Sequence, residues 1–320
     1  MPNRVRRKRR RRNPARILLA VVLIAAAAYA GIHCLLFQKP QQVQAVEQLN
    51  EEEQNAEQAQ VDEEAEALRS HQERKADFYT ILVSGVDDGN GNSDTNILVA
   101  VDTAGGSIYG VSIPRDTKAV WNGKSHKINA AFGSGGIEKL ADVIGDQLGI
   151  PVDYTVQVDL KGFVALVDAI GGVDFDVPID MNYEDPYQDL YIHIPAGMQH
   201  LSGEEALKVV RFREGYASQD IARMETQQAF LKAVAQQTLQ ISNLTKVDQF
   251  VKIFQQYVET DLTLGNLAWL GSKAISIGAE NVAFSTLPGD WKSPYIYLNK
   301  EETLTLVNEH LNPYVEDRVA

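Results

Sequence analysis

The sequence predicts one α/β domain with a mixed sheet, preceded by a single N-terminal membrane-spanning helix. Three observations predict it. Residues 17–37, ILLAVVLIAAAAYAGIHCLLF, run for 21 positions without Asp, Glu, Lys or Arg. From Phe78 onward, short β-branched runs alternate with segments of helical periodicity. No break in composition interrupts that alternation, so residues 77–320 are expected to form one catalytic-sized domain.

The first 16 residues are a basic tail. Nine of the 30 Lys and Arg precede residue 38, where there is no acid; the rest of the chain holds 21 basic against 43 acidic residues. At 1.5 Å per residue, the apolar run would be roughly 31 Å long, about one hydrocarbon core. Basic residues stay on the cytoplasmic side of such a helix. The expected topology is a cytoplasmic tail (1–16), a transmembrane helix (17–37) and an extracytoplasmic remainder in the cell membrane. A cleaved signal peptide is the rival, but the run is longer than a usual signal core and no small-x-small site closes it. The acidic remainder argues against nucleic-acid binding, which needs a basic surface. The lone cysteine, Cys34, falls in the apolar run, so neither an internal disulfide nor a cysteine zinc site is available. Residues 38–76 are rich in Glu, Gln and Ala and read as an acidic linker that sets distance from the membrane.

The elements follow in order. FYTILVSGVD from Phe78 reads as a buried strand. Asn96–Asp102, a Thr-Ala-Gly-Gly turn and Ser107–Arg115 read as a hairpin. Gly136–Leu148 has helical periodicity. Tyr154–Asp159 is a strand, and Leu160–Ile170 a helix stopped by Gly171-Gly172. Val173–Val177 and Leu190–Ile194 are strands. Ser202 with Glu205 forms a capping box that starts a helix. Helices are expected over 220–240, 246–259 and 264–277, then a strand over 281–287 and a helix over 300–311.

The chemistry concentrates in a few places. Arg211 and Arg213 are separated by one residue, and Arg223 and Gln227 sit four apart on one helix face. Arg binds phosphate through paired N–H bonds. The plainer reading is a row of surface arginines paired with Glu204, Glu205, Glu214 and Asp220. Arg115 follows Pro114 at a strand end, and Lys127 comes shortly after. Asp87, Asp88 and Asp94 lie in a Gly- and Asn-rich loop that either holds a hard divalent cation or only makes turn hydrogen bonds. Arginines with a carboxylate loop suggest a multiply charged phosphate, a pyrophosphate above all, with a metal. No nucleophile motif is present, and His126, His193 and His200 read as structural or exposed.

On the residues 81–87 (ILVSGVD), 93–102 (SDTNILVAVD), 112–117 (SIPRDT), 127–132 (KINAAF), 171–178 (GGVDFDVP), 201–213 (LSGEEALKVVRFR) and 220–228 (DIARMETQQ), the chain resembles the LytR–CpsA–Psr family of bacterial cell-wall phosphotransferases. The resemblance implies a three-layer α/β/α fold with a polyprenyl tunnel between sheet and helices. It implies transfer of an anionic glycopolymer, of teichoic acid or capsule type, from an undecaprenyl-pyrophosphate carrier to a peptidoglycan acceptor through a phosphodiester. Matched position by position, Asp87 and Asp94 would hold Mg2+ (or Mn2+). Arg115, Arg211, Arg213, Arg223 and Gln227 would grip the pyrophosphate, with Lys127 as a further contact. Asp94, Arg115, Arg211 and Arg213 would be catalytic. The chain departs from the pattern at Asn92 and Thr226, where the family often has Arg. Two other readings stay open: a lipid-pyrophosphate hydrolase using the same site, and a membrane-tethered regulator whose basic arm touches DNA.

Overall fold

The computed structural model describes residues 37–43, 73–86, 93–187, 190–212, 214, 220–239 and 247–319. In chain order the elements are β1 (Phe78–Val86), β2 (Ser93–Asp102), β3 (Ser107–Ser112), β4 (Lys118–Trp121), β5 (Lys124–Lys127), α1 (Ala130–Leu148), β6 (Tyr154–Asp159), α2 (Leu160–Ile170), β7 (Val173–Val177), β8 (Met181–Asp185), β9 (Leu190–Ile194) and β10 (Gly197–Leu201). They continue with α3 (Gly203–Arg211), α4 (Asp220–Thr238), α5 (Val247–Tyr257), β11 (Val258–Thr260), α6 (Leu264–Ile277), β12 (Val282–Thr286), β13 (Gly289–Lys292), β14 (Tyr295–Leu298) and α7 (Lys300–Leu306), which runs on into a π-helical turn, Val307–Leu311.

The main sheet has the order β11-β6-β1-β2-β3-β12 and is mixed. β1 pairs antiparallel with β2 and parallel with β6; β3 pairs antiparallel with β2 and parallel with β12. β1, β3, β6 and β12 therefore point the same way. Their last residues, Val86, Ser112, Asp159 and Thr286, form one carboxyl edge, which β2 enters at Ser93. In open α/β sheets, ligands gather at that edge.

Strand alternation divides the side chains between two cores. Phe78, Leu82, Leu98, Ala100 and Val111 face α1 and the C-terminal turn at Val307 and Leu311. Tyr79, Ile81, Val101 and the half-buried Ile108 and Val156 face α6 through Leu270 and Trp269. Helices thus cover both faces of the sheet. A third core gathers β7–β10 with α2, α3 and α4 around Phe175, Ile192, Phe212 and Phe230. α1 is broken at Gly135–Gly136, where Gly136 has φ +72°. The uninterrupted helix hence begins where the sequence places it.

Most expected elements form, within two or three residues. β4, β5, β8, β10, β11, β13 and β14 were not foreseen. Two expectations need correcting. Residues 246–259 are not one helix: α5 stops at Tyr257, and Val258–Thr260 pairs with β6 as an edge strand. Residues 38–43 and 73–76, assigned to the linker, pack on the domain instead. Gln38 N–H donates to the Gly265 carbonyl (3.1 Å), and Gln42 Nε2 donates to the carbonyls of Lys75 and Phe78 (2.9 and 2.7 Å). Asp153, fully buried, accepts from Val43 N–H (2.9 Å), from both terminal nitrogens of Arg74 (2.7 and 2.8 Å) and from Thr80 N–H (2.9 Å). The expected transmembrane segment lies outside the described residues, apart from Phe37. Among the described residues no helix is long and apolar enough to cross a membrane.

Candidate functional site

Among the described residues, three elements near the sheet's carboxyl edge carry sequence-predicted residues. β3 runs out at Ser112, and Pro114 ends its pairing. Arg115 stands just beyond, 40% exposed, with Nε 3.9 Å from Asp116 Oδ2. Asp116 Oδ1 accepts from Lys127 Nζ at 2.7 Å. The backbone repeats this link: Asn129 N–H donates to the Arg115 carbonyl (3.3 Å) and Ile128 N–H to the Thr117 carbonyl (2.8 Å). Arg115 and Lys127 therefore meet across one carboxylate.

The second is α3 with α4. The capping box at the head of α3 is present: Ser202 Oγ accepts from Glu205 N–H (3.4 Å), and Glu205 Oε2 accepts from Ser202 N–H (2.9 Å). The hydrogen bonds from Ser202 hold the Glu205 carboxyl below the usual carboxylate range. Glu205 thus serves its own helix, against the plain reading that pairs it with an arginine. α3 delivers Arg211 as its last residue. Gln227 Nε2 on α4 donates to the Val210 carbonyl (3.3 Å), one residue before Arg211. The next residue, Gln228, donates to Thr286 Oγ1 (3.0 Å) at the end of β12, whose register partner is Ser112 at the end of β3. Two glutamines on α4 thereby tie the arginine helix to the strand ends beside Arg115. Gln228 is a residue the sequence reading missed; its adjacency to Gln227 in the 220–228 run was the available signal.

The third is the carboxylate loop. Val86 pairs with Ser93 and Gly85 with Thr95, so Asp94 is the extra residue of a β-bulge. Asp87 and Arg213 lie outside the described residues. Arg223 is on α4, and nothing is described of its side chain or of Asp94's. Thr226, where the family often has Arg, is buried at 6% exposure.

Other candidates fall elsewhere. Ser84 is buried and bonds to Asn96 Oδ1 (2.9 Å), a structural role. His126 stacks on Trp121 at 4.1 Å. Two histidines have acidic neighbours: His200 Nδ1 is 2.7 Å from Asp174 Oδ1, and His193 Nε2 is 3.2 Å from Glu184. The Asp174 hydrogen bond raises the His200 pKa. Both pairs are exposed, on β7–β10 and β8–β9, which join no strand of the main sheet. A cleft of about 520 Å3 lies between Tyr109 and α7, on the opposite sheet face from α4. Glu301, Glu302 and Glu309 line it, a poor setting for a pyrophosphate.

The LytR_cpsA_psr family model matches residues 39–312. The chain belongs to this family. Among curated LytR_cpsA_psr relatives, it is 35% identical over 221 residues to the Bacillus cereus polyisoprenyl-teichoic acid–peptidoglycan teichoic acid transferase TagU, covering 68% of this chain and 70% of that one. It is 33% identical over 196 residues to TagV of Bacillus subtilis, covering 58% of this chain but only half of the relative's length. The crystal structure of B. subtilis TagV superposes with a TM-score of 0.63 at 28% identity, over 76% of this chain and all of that one. A structure of TagT bound to LIIa-WTA superposes with a TM-score of 0.60 at 25% identity, over 73% of this chain and 89% of that one. The mixed α/β architecture read from the sequence is thus the family's.

Proposed function

We propose that this protein transfers an anionic glycopolymer of teichoic acid type from a polyprenyl-pyrophosphate carrier to peptidoglycan. The observation that carries the reading is the convergence of Arg115, Lys127, Arg211 and Gln227 on one sheet edge, in a chain whose relatives are named for that transfer. The acceptor hydroxyl gives its proton to a carboxylate or to solvent as its oxygen attacks the glycan-bearing phosphorus, the bridging P–O bond breaks, and polyprenyl phosphate leaves. A phosphodiester joins polymer to wall. Arg115 and Lys127 from one side, and Arg211, Arg213, Arg223 and Gln227 from the other, grip the pyrophosphate and stabilise charge on its oxygens.

Asp87 and Asp94 suit Mg2+ or Mn2+ by their chemistry. Both are carboxylates, and they belong to neighbouring strand ends, one directly after Val86 and one in the bulge beside it. A bound cation would neutralise phosphate oxygens there. The finer fold reading is the three-layer α/β/α arrangement with room for an isoprenoid chain. Its support is that β6 is half-buried along its whole length, with Val156, Val158, Phe163 and Phe250 incompletely covered between sheet and helices. The finer topology is a single N-terminal anchor at residues 17–37, with the catalytic domain outside the cell membrane. Its support is the basic tail and the uncharged run.

The test is product analysis with a polyprenyl-pyrophosphate donor, a peptidoglycan acceptor and Mg2+. Polymer joined to the wall through a phosphodiester is expected. Release of free phosphorylated glycan alone would make the protein a hydrolase instead.

A further inference from the structure

The loop that carries Arg115 and Asp116 is also the edge of a second, smaller sheet. Ile296 N–H donates to the Asp116 carbonyl (2.9 Å), and Thr117 and Ile296 form a parallel bridge. β13, β14, β4 and β5 thereby make one ribbon four strands wide. Its inner face packs on the main core through Ala119, Trp121, Ile128 and Leu298. Alternation places Lys118, Val120, Lys127, Tyr295 and Tyr297 on the other face, turned outward, with Asp116 at its margin.

This face mixes exposed apolar and aromatic side chains with charged ones, since Asp290 and Lys292 pair in register with Tyr297 and Tyr295, and Lys118 with Lys127. Val120 is 62% exposed and Tyr297 38%. The rings are held in place. Tyr295 OH donates to the Ser125 carbonyl (3.2 Å), Tyr295 and Tyr297 meet edge to face at 6.3 Å, and Lys118 Nζ lies 5.0 Å from the centre of the Tyr297 ring. The face is also continuous with the candidate site, because Lys127 belongs to both.

We infer that this face binds the glycan strand of the peptidoglycan acceptor. The inference rests on the transfer reading above and adds to it where the acceptor sits. Pyranose rings offer C–H faces that stack on aromatic rings, while their hydroxyls are met by the surrounding Lys118 and Lys127. Fixed rings lose little freedom when a sugar docks. Position selects acceptor over donor. α3 and α4 reach the strand ends on the sheet face that carries Thr286, and the ribbon packs on the opposite one. Arg115 stands between them. In-line displacement brings the attacking oxygen in from the side opposite the leaving oxygen. Acceptor on the ribbon and carrier beside α3 and α4 satisfy that requirement.

The test uses the full-length protein in detergent and soluble GlcNAc–MurNAc oligomers as probe. The double variant Tyr295→Ala/Tyr297→Ala should bind the oligomers about tenfold more weakly and raise the acceptor KM by a similar factor, with donor KM unchanged. Tyr295→Phe/Tyr297→Phe should stay within about twofold of wild type, because the rings remain. Val120→Asp, at an exposed position that tolerates a charge, should also weaken oligomer binding should the tyrosine pair prove unstable. Unchanged oligomer binding in the Ala and Asp variants would overturn the inference. So would a rise confined to donor KM, which would assign the face to the carried polymer. Oligomer binding needs no turnover, so it reads this inference even if the wild-type protein turns out to hydrolyse its donor.

Discussion

Arg115 and Arg211 approach the strand ends from different elements, one from the end of β3 and one from the end of α3. Each is expected to make phosphate contacts that strengthen as charge develops in the transition state. Arg115→Ala or Arg211→Ala should therefore lower transfer about a hundredfold, roughly 3 kcal/mol in barrier, while the melting temperature stays near wild type. Near-normal turnover in both variants would dissolve the site. The arginines were legible because Arg-x-Arg and an i,i+4 Arg–Gln pair need only local spacing. Gln228 was not, because its partner, Thr286, is 58 residues away. Thr226 changes meaning once its burial is known. It faces inward, so its neutral side chain is part of the packing of α4, and the missing charge is not offset from that position.

At the scale of elements, the helix that delivers Arg211 depends on its first turn. Ser202 and Glu205 cap it, and Gly203 lets it lie against α2: a Cβ there would sit 2.3 Å from the Val164 carbonyl oxygen. Gly203→Ala should destabilise the domain by about 1–3 kcal/mol, read by urea unfolding, and should lower activity with it. Ser202→Ala should cost about 1 kcal/mol at neutral pH. Glu205's pKa is lowered by folding, so its contribution is present above the unfolded value and is lost as pH falls through the folded one. The gap between Ser202→Ala and wild type should hence shrink when unfolding is measured at about pH 3 instead of pH 7. The capping box was readable because its rule spans four residues. The ribbon was overlooked for a physical reason. KAVW and KSHK are too short and too polar to show a period of two. Its one local signal was the Asn122-Gly123 turn, whose φ angles are +51° and +66°, as a tight hairpin requires.

Across the whole molecule, the two ends of the sheet have different duties. The carboxyl edge carries Arg115 and Lys127 just beyond β3, and the amino edge holds residues 38–43. That hold centres on Asp153. Removing a buried partner of Arg74 leaves a charge without its counterpart, so Asp153→Ala should cost about 3–5 kcal/mol of unfolding free energy, measured by denaturant titration. No sequence rule announces Asp153, because its ligands come from residues 43, 74 and 80, and the pairing exists only after folding. Composition alone does not announce the packing of residues 38–43 and 73–76 either: a polar, acidic stretch reads as a spacer whether or not its ends are fastened.

Asp153 binds Val43 and Arg74 together, so both residues are fastened to the domain at one knot. The reach between the proposed anchor and the proposed site is measured from that knot. That reach is set by the few residues from Phe37 to Val43 and by the length of the strands, roughly 30 Å for nine residues of β1. On the proposed topology, the carboxyl edge therefore works at a fixed height above the lipid. Undoing the knot would free that height to vary.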